Sequence, residues 1–104
     1  MTSRVVERGG MVFVHGVPPE PRGDVTEQTR RVLERIDRLL ALAGSHKSRL
    51  LTAQIKLSDL NLLEQHESAW DEWVDPSALP VRAVTQTVLQ QPGALVEIAV
   101  TARK

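Results

Sequence analysis

The chain has 104 residues, 13 Lys+Arg against 13 Asp+Glu, 41% hydrophobic residues and no cysteine. This length supports one hydrophobic core, so residues 1–104 read as a single domain, and the apolar fraction excludes a disordered solvating tail. Zero formal net charge argues against a dedicated nucleic-acid binder, the missing cysteine excludes disulfides and thiolate chemistry, and neither a signal peptide nor a membrane span is legible. A cytoplasmic protein with no membrane or nucleic-acid partner is expected.

Residues 3–7 and 11–15 alternate as two short strands, and Gly9-Gly10 between them supplies the positive φ angles of a tight hairpin. Pro18, Pro19 and Pro21 then make a stiff, shaped loop. Asp24, with Glu27 three residues on, opens a helix. Val25, Thr29, Val32, Leu33, Ile36, Leu39, Leu40 and Ala43 form its buried stripe, and Gly44 ends it. Residues 50–57 alternate as a strand with Leu51, Ala53, Ile55 and Leu57 on one face. Ser58 or Asp59 caps a second helix that runs to about Val74 and carries Leu60, Leu63, Trp70, Trp73 and Val74, and Asp75-Pro76 closes it. Strands follow over 80–89 and 94–102, separated by Gln91-Pro92-Gly93. The order ββαβαββ is that of an α+β domain. Two helices tend to cover one face of such a sheet, and the other face is semi-apolar, so self-association through it is expected.

No GxGxxG, P-loop, GxSxG or HExxH occurs, and His15, His46 and His66 lack metal-ligand spacing, so neither a metal nor an organic cofactor is expected. Trp70 and Trp73 read as a packed helix face, and Arg30, Arg31, Arg35 and Arg38 as a solvated one. The pair with chemical content is Arg82 and Glu97, each a charge inside a half-apolar strand on the less apolar face. Two interpretations are open: a cross-strand ion pair, or a recessed cleft in which Arg82 clamps a substrate carboxylate and Glu97 manages a proton.

Leu79-Pro80-Val81-Arg82-Ala83 followed by Leu95-Val96-Glu97-Ile98 resembles the carboxyl-terminal signature of the YjgF/RidA family of reactive-intermediate imine deaminases. Residues 24–29, 47–51, 58–60 and 69–73 are similar to further segments of that family, and the short length with paired tryptophans is closest to its YoaB-like branch. The resemblance implies a chorismate-mutase-like fold with a mixed sheet and two helices on one face. It further implies a homotrimer with clefts between subunits, and cofactor-free hydrolysis of 2-imino or enamine acids to 2-oxo acids and ammonia. It assigns Arg82 to the substrate carboxylate and Glu97 to the attacking water. The Val84 backbone N–H becomes a main-chain donor, His15-Gly16 the start of the substrate loop, and Val17 onward, through residue 21, its proline-rich wall. The chain departs from the family pattern in having His15 for a serine, Glu67 for an asparagine, Val84 for a cysteine, and no tyrosine. Besides the deaminase, two other functions fit the residues: a non-catalytic trimeric binder of 2-oxo acids or other small carboxylates, and an RNA-cleaving or translation-inhibiting protein, against which the neutral charge weighs.

Overall fold

In the computed structural model, which describes residues 2–104, five strands form one mixed sheet in the order β1-β2-β5-β3-β4. The elements are β1 (Arg4–Arg8), β2 (Met11–Gly16), α1 (Val25–Leu42), β3 (Leu50–Leu57), α2 (Leu63–Trp73), β4 (Val81–Gln86) and β5 (Val96–Arg103). Only β3 and β4 run parallel, and α2 provides the crossover such a pair requires. The predicted ββαβαββ order and α+β class are therefore those of the structure.

Local chemistry accounts for the boundaries. Gly9 and Gly10, at φ 56° and 81°, make the hairpin turn that pairs Arg8 with Met11. The Asp24 carboxylate accepts the Glu27 N–H at 2.9 Å and caps α1. At the other end Gly44 adopts φ 78°, the Ser45 N–H donates to the Leu40 carbonyl, and the Gly44 N–H donates to that of Ala41. These two bonds are the Schellman arrangement that satisfies otherwise orphaned carbonyls.

The core lies between α1 and the central strands. Val32, Leu33, Ile36 and Leu40 pack with Val12 and Val14 of β2, Ile55 and Leu57 of β3, and Val96, Ile98 and Val100 of β5. Trp70 of α2 joins this cluster, and three hydrogen bonds tie the helices together: Thr26 Oγ1 donating to the Gln65 carbonyl, Thr29 Oγ1 with His66 Nδ1, and Trp73 Nε1 donating to Asp37, each at 3.0 Å.

Four expectations are corrected. A register shift between Leu50 and Thr52 buries Leu50 and turns Leu51 outward, the reverse of strict alternation from residue 50. Asp59 caps a 3-10 turn over Leu60–Leu62, and the α-helix begins only at Leu63. A three-residue turn shifts the phase, so Leu60 and Leu63 remain exposed. β4 stops at Gln86, because its partner β3 ends at Leu57 and leaves the chain beyond without a ladder, and Val88 is exposed. β5 begins at Val96 rather than residue 94, since the Leu95 N–H is taken by the Gln28 side chain at 2.8 Å.

Gly16 shows how tightly α1 lies on the sheet. A Cβ at this position would stand 2.9 Å from Val32 Cγ1 and 3.0 Å from Ile36 Cγ1. Gly16→Ala is expected to cost about 1–3 kcal/mol, seen as a lower urea midpoint with an unchanged slope.

His66 generates a second prediction. It is fully buried, with Nε2 unpartnered. Burial first, and the positive charge of Arg82 second, push its pKa from 6.5 down to about 4, while Glu67 opposes the shift. The unfolded chain thus binds a proton near pH 6.5 that the folded chain refuses. Stability from this group is full above that pH and falls as the pH drops toward 4, by about 3 kcal/mol in all. Urea midpoints from pH 7 to 4 should show this loss in the wild type and a flatter profile, over that window, in His66→Gln.

Candidate functional site

The alternation of β5 sends Val96, Ile98 and Val100 under the helices and Glu97, Ala99 and Thr101 to the uncovered face. Phe13 and His15 of β2, and Thr52, Gln54 and Lys56 of β3, share that face through their pairings with β5. Although the face has no helix over it, Glu97 is only 6% exposed. Its carboxylate is hydrogen-bonded to His15 Nε2 at 3.1 Å, and Lys56 is its cross-strand partner. Residues 87–90 complete a depression of about 320 Å³ over this group. A buried carboxylate bonded to an imidazole at the floor of a small cavity can accept a proton and pass it on.

Arg82 is on the other side. It pairs with Ala53, which pairs with Val100, and both of these are buried on the helix-covered face. The Arg82 guanidinium carbon lies 4.7 Å from the centroid of the Trp70 ring, and one terminal nitrogen donates to the Glu67 carboxylate. Glu67 and Trp70 stand three apart on α2 and so present one face to Arg82. The Arg82 Nε is buried and has no acceptor. A planar cation held against an indole, with a donor left over, is suited to a carboxylate. Val84 lies on the same face two residues along, half-buried against the core.

The expectation that Arg82 and Glu97 share the less apolar face is corrected, and with it the possible ion pair between them. The reason is that β4 is an edge strand. A long side chain on its core-side face reaches the rim past α2 without being buried whole. Arg82's anionic partner is instead Glu67, which the sequence marked only as a departure from a family pattern. The missed signal is the β3-α2-β4 crossover, which lays α2 over the strand it precedes.

The remaining expected site residues separate into two kinds. His15 stands in the Glu97 depression. Gly16 and Val17 are buried: Gly16 lies beneath α1, and the Val17 N–H donates to Ser3 Oγ at 3.0 Å. Of the other histidines, His46 caps a 3-10 turn through the Ser48 N–H, and His66 packs between the helices. Among the described residues no three His, Cys, Asp or Glu side chains converge to hold a metal ion.

Comparison with known proteins identifies the family. The profile of the endoribonuclease L-PSP family matches residues 2–104. A RutC family protein of Haemophilus influenzae is 50% identical over 102 residues, covering 96% of this chain and 88% of its own. The RutC family protein YoaB of Escherichia coli is 39% identical over 100 residues, again covering 96% and 88%. Among solved structures, a candidate translation initiation inhibitor from Salmonella typhimurium superposes with a TM-score of 0.95 at 39% identity, over 99% of this chain and 90% of that one. A YjgF-family protein of Neisseria meningitidis superposes with a TM-score of 0.92 at 38% identity, over 96% and 84%. With the profile spanning the described residues and these relatives aligned along nearly all of the chain, this protein belongs to the YjgF/RidA family, whose profile bears the L-PSP description.

Proposed function

We propose that copies of this chain assemble as homotrimers and hydrolyse 2-imino or enamine acids to 2-oxo acids and ammonia in clefts between copies. The observation that carries this reading is the placement of the two halves of the site. Arg82 and the Glu97–His15 pair lie on opposite faces of one sheet, so a single chain does not close both around a small molecule. Two neighbouring copies can, one giving Arg82 and the Val84 backbone and the other giving His15, Glu97 and the loop from Gly16 and Val17. The uncovered face that carries Glu97 also carries half-exposed Phe13 beside Ala99 and Thr101, a surface that self-association would bury. The number three comes from the family resemblance.

The chemistry follows from few groups, because an imine carbon is already electrophilic and needs an oriented water and proton transfer. Arg82 takes the substrate carboxylate through its guanidinium donors, in the place that Glu67 occupies, with the Trp70 ring backing the guanidinium. Glu97 accepts a proton from water as its oxygen bonds to the imine carbon. The imine nitrogen takes up a proton from the His15–Glu97 pair, giving a carbinolamine. A second proton delivered to that nitrogen lets the C–N bond break and ammonia leave. The hydroxyl proton returns to the pair as the C=O forms, so the pair ends as it began. The relatives' descriptions as an endoribonuclease family and a candidate translation inhibitor suggest an RNA function instead, but zero net charge does not support an electrostatic RNA site.

The test generates 2-imino acids with an amino-acid oxidase and catalase and follows competition with semicarbazide. Wild type should accelerate imine loss, and Arg82→Ala should lower kcat/KM by about 100-fold, the worth of a charge-assisted two-pronged contact. Glu97→Gln should also be strongly impaired. Refolding equal amounts of the two variants together should restore about one quarter of wild-type activity, because one cleft in four then draws an intact Arg82 and an intact Glu97 from different copies. No recovery would mean that both groups act from one copy. If no imine is hydrolysed faster while 2-oxobutyrate raises the melting temperature, the protein is a carboxylate binder and not a deaminase.

A further inference from the structure

We infer that Glu67 is a specificity-determining residue, an internal carboxylate that occupies the Arg82 anion site and competes there with the carboxylate of the ligand. This rests on Arg82 being the carboxylate site proposed above. The Glu67–Arg82 contact is a charge-assisted bond of the kind a substrate carboxylate would make. The two side chains are 32% and 22% exposed, so neither is sealed in and water can replace the contact.

They differ in freedom. Arg82 is held by a strand backbone and by the face of Trp70. Glu67 projects from α2 with Arg82 as its one hydrogen-bonded side-chain partner among the described residues. A ligand anion therefore displaces Glu67 and leaves the guanidinium where it is. Because the Trp70 ring already backs the guanidinium, Glu67 is not needed to hold it in place. Its effect is to cancel the charge that attracts anions. That cancellation weakens every carboxylate ligand, and a ligand with two carboxylates more than one with a single carboxylate, since like charge repels in proportion. The site as built thus favours monocarboxylic 2-imino and 2-oxo acids over dicarboxylic ones.

Calorimetric titration with 2-oxobutyrate and 2-oxoglutarate would test this on wild type, Glu67→Gln, Glu67→Asn and Arg82→Ala, with melting curves to establish that each variant is folded. Glu67→Gln and Glu67→Asn should bind 2-oxobutyrate about fivefold more tightly than wild type, and 2-oxoglutarate by a larger factor. Binding that weakens in both Glu67 variants would make Glu67 a positioning residue, and unchanged binding would make it a surface partner of no consequence. Either result overturns the inference while leaving Arg82 as the carboxylate site. Binding by Arg82→Ala equal to that of wild type would instead remove the site itself. Tighter binding without imine hydrolysis would sustain the inference and defeat the deaminase.

Discussion

Two helices cover one face of a five-stranded sheet and leave the other bare, and the two-residue period of the strands then assigns every functional side chain to one side or the other. β5 is where this matters most, because it runs through the middle of the sheet with core on one side. Val96, Ile98 and Val100 fix its face by burying completely or nearly so, each worth about 1.5–3 kcal/mol of removed apolar surface. With that face fixed, Glu97 has no option but the uncovered side. A one-residue slip would expose three core side chains and bury a carboxylate under α1, so the register of β5 and the position of the carboxylate are one constraint.

The loops that bound the candidate clefts are held by side chains rather than by sheet pairing. Gln28, buried on α1, donates to the carbonyls of Gly23 at 3.3 Å and Gly93 at 3.0 Å while accepting the Leu95 N–H. Gln91 donates to the Pro18 carbonyl at 3.2 Å, joining the proline-rich loop to the turn before β5. Arg31 donates to the Arg22 carbonyl at 2.9 Å. These bonds satisfy backbone groups that the irregular segments would otherwise leave open, and they set the loop after His15 against a helix instead of leaving it to solvent. A binding surface assembled this way has little freedom to lose when a ligand arrives.

Most of the architecture was legible because its signals are local. The Asp24 cap, the apolar stripe of α1, Gly44 and the Gly9-Gly10 turn each act within a few residues, and the structure uses each as expected. Leu51 departs from the alternation because a bulge is a decision of two paired strands, not of one sequence. The face of Arg82 is not legible for a related reason. β4 reads as alternating with apolar residues on both sides, and only the parallel pairing with β3 and the helix between them decide which side meets α2. For Glu97 the strongly apolar Val96, Ile98 and Val100 remove that ambiguity, so its face is legible in the sequence. Edge strands that carry mixed faces are where sequence patterns carry least information.

The surroundings of Arg82 join stability to function through α2. Three residues of one helical turn meet there: His66 buried, Glu67 in contact and Trp70 beneath the guanidinium. Burial keeps His66 neutral, and the charge of Arg82 adds to that effect. A neutral His66 in turn spares Arg82 a second positive charge, which would have to be compensated by a further anion in a space that already holds Glu67. The helix thus presents a strand-borne arginine with one aromatic face, one anion and one neutral ring, leaving the net charge of the cluster near zero. Substitutions in α2 therefore act on both properties together. A change that neutralises Glu67 raises the local positive potential felt by a ligand, and the same potential makes protonation of His66 harder still.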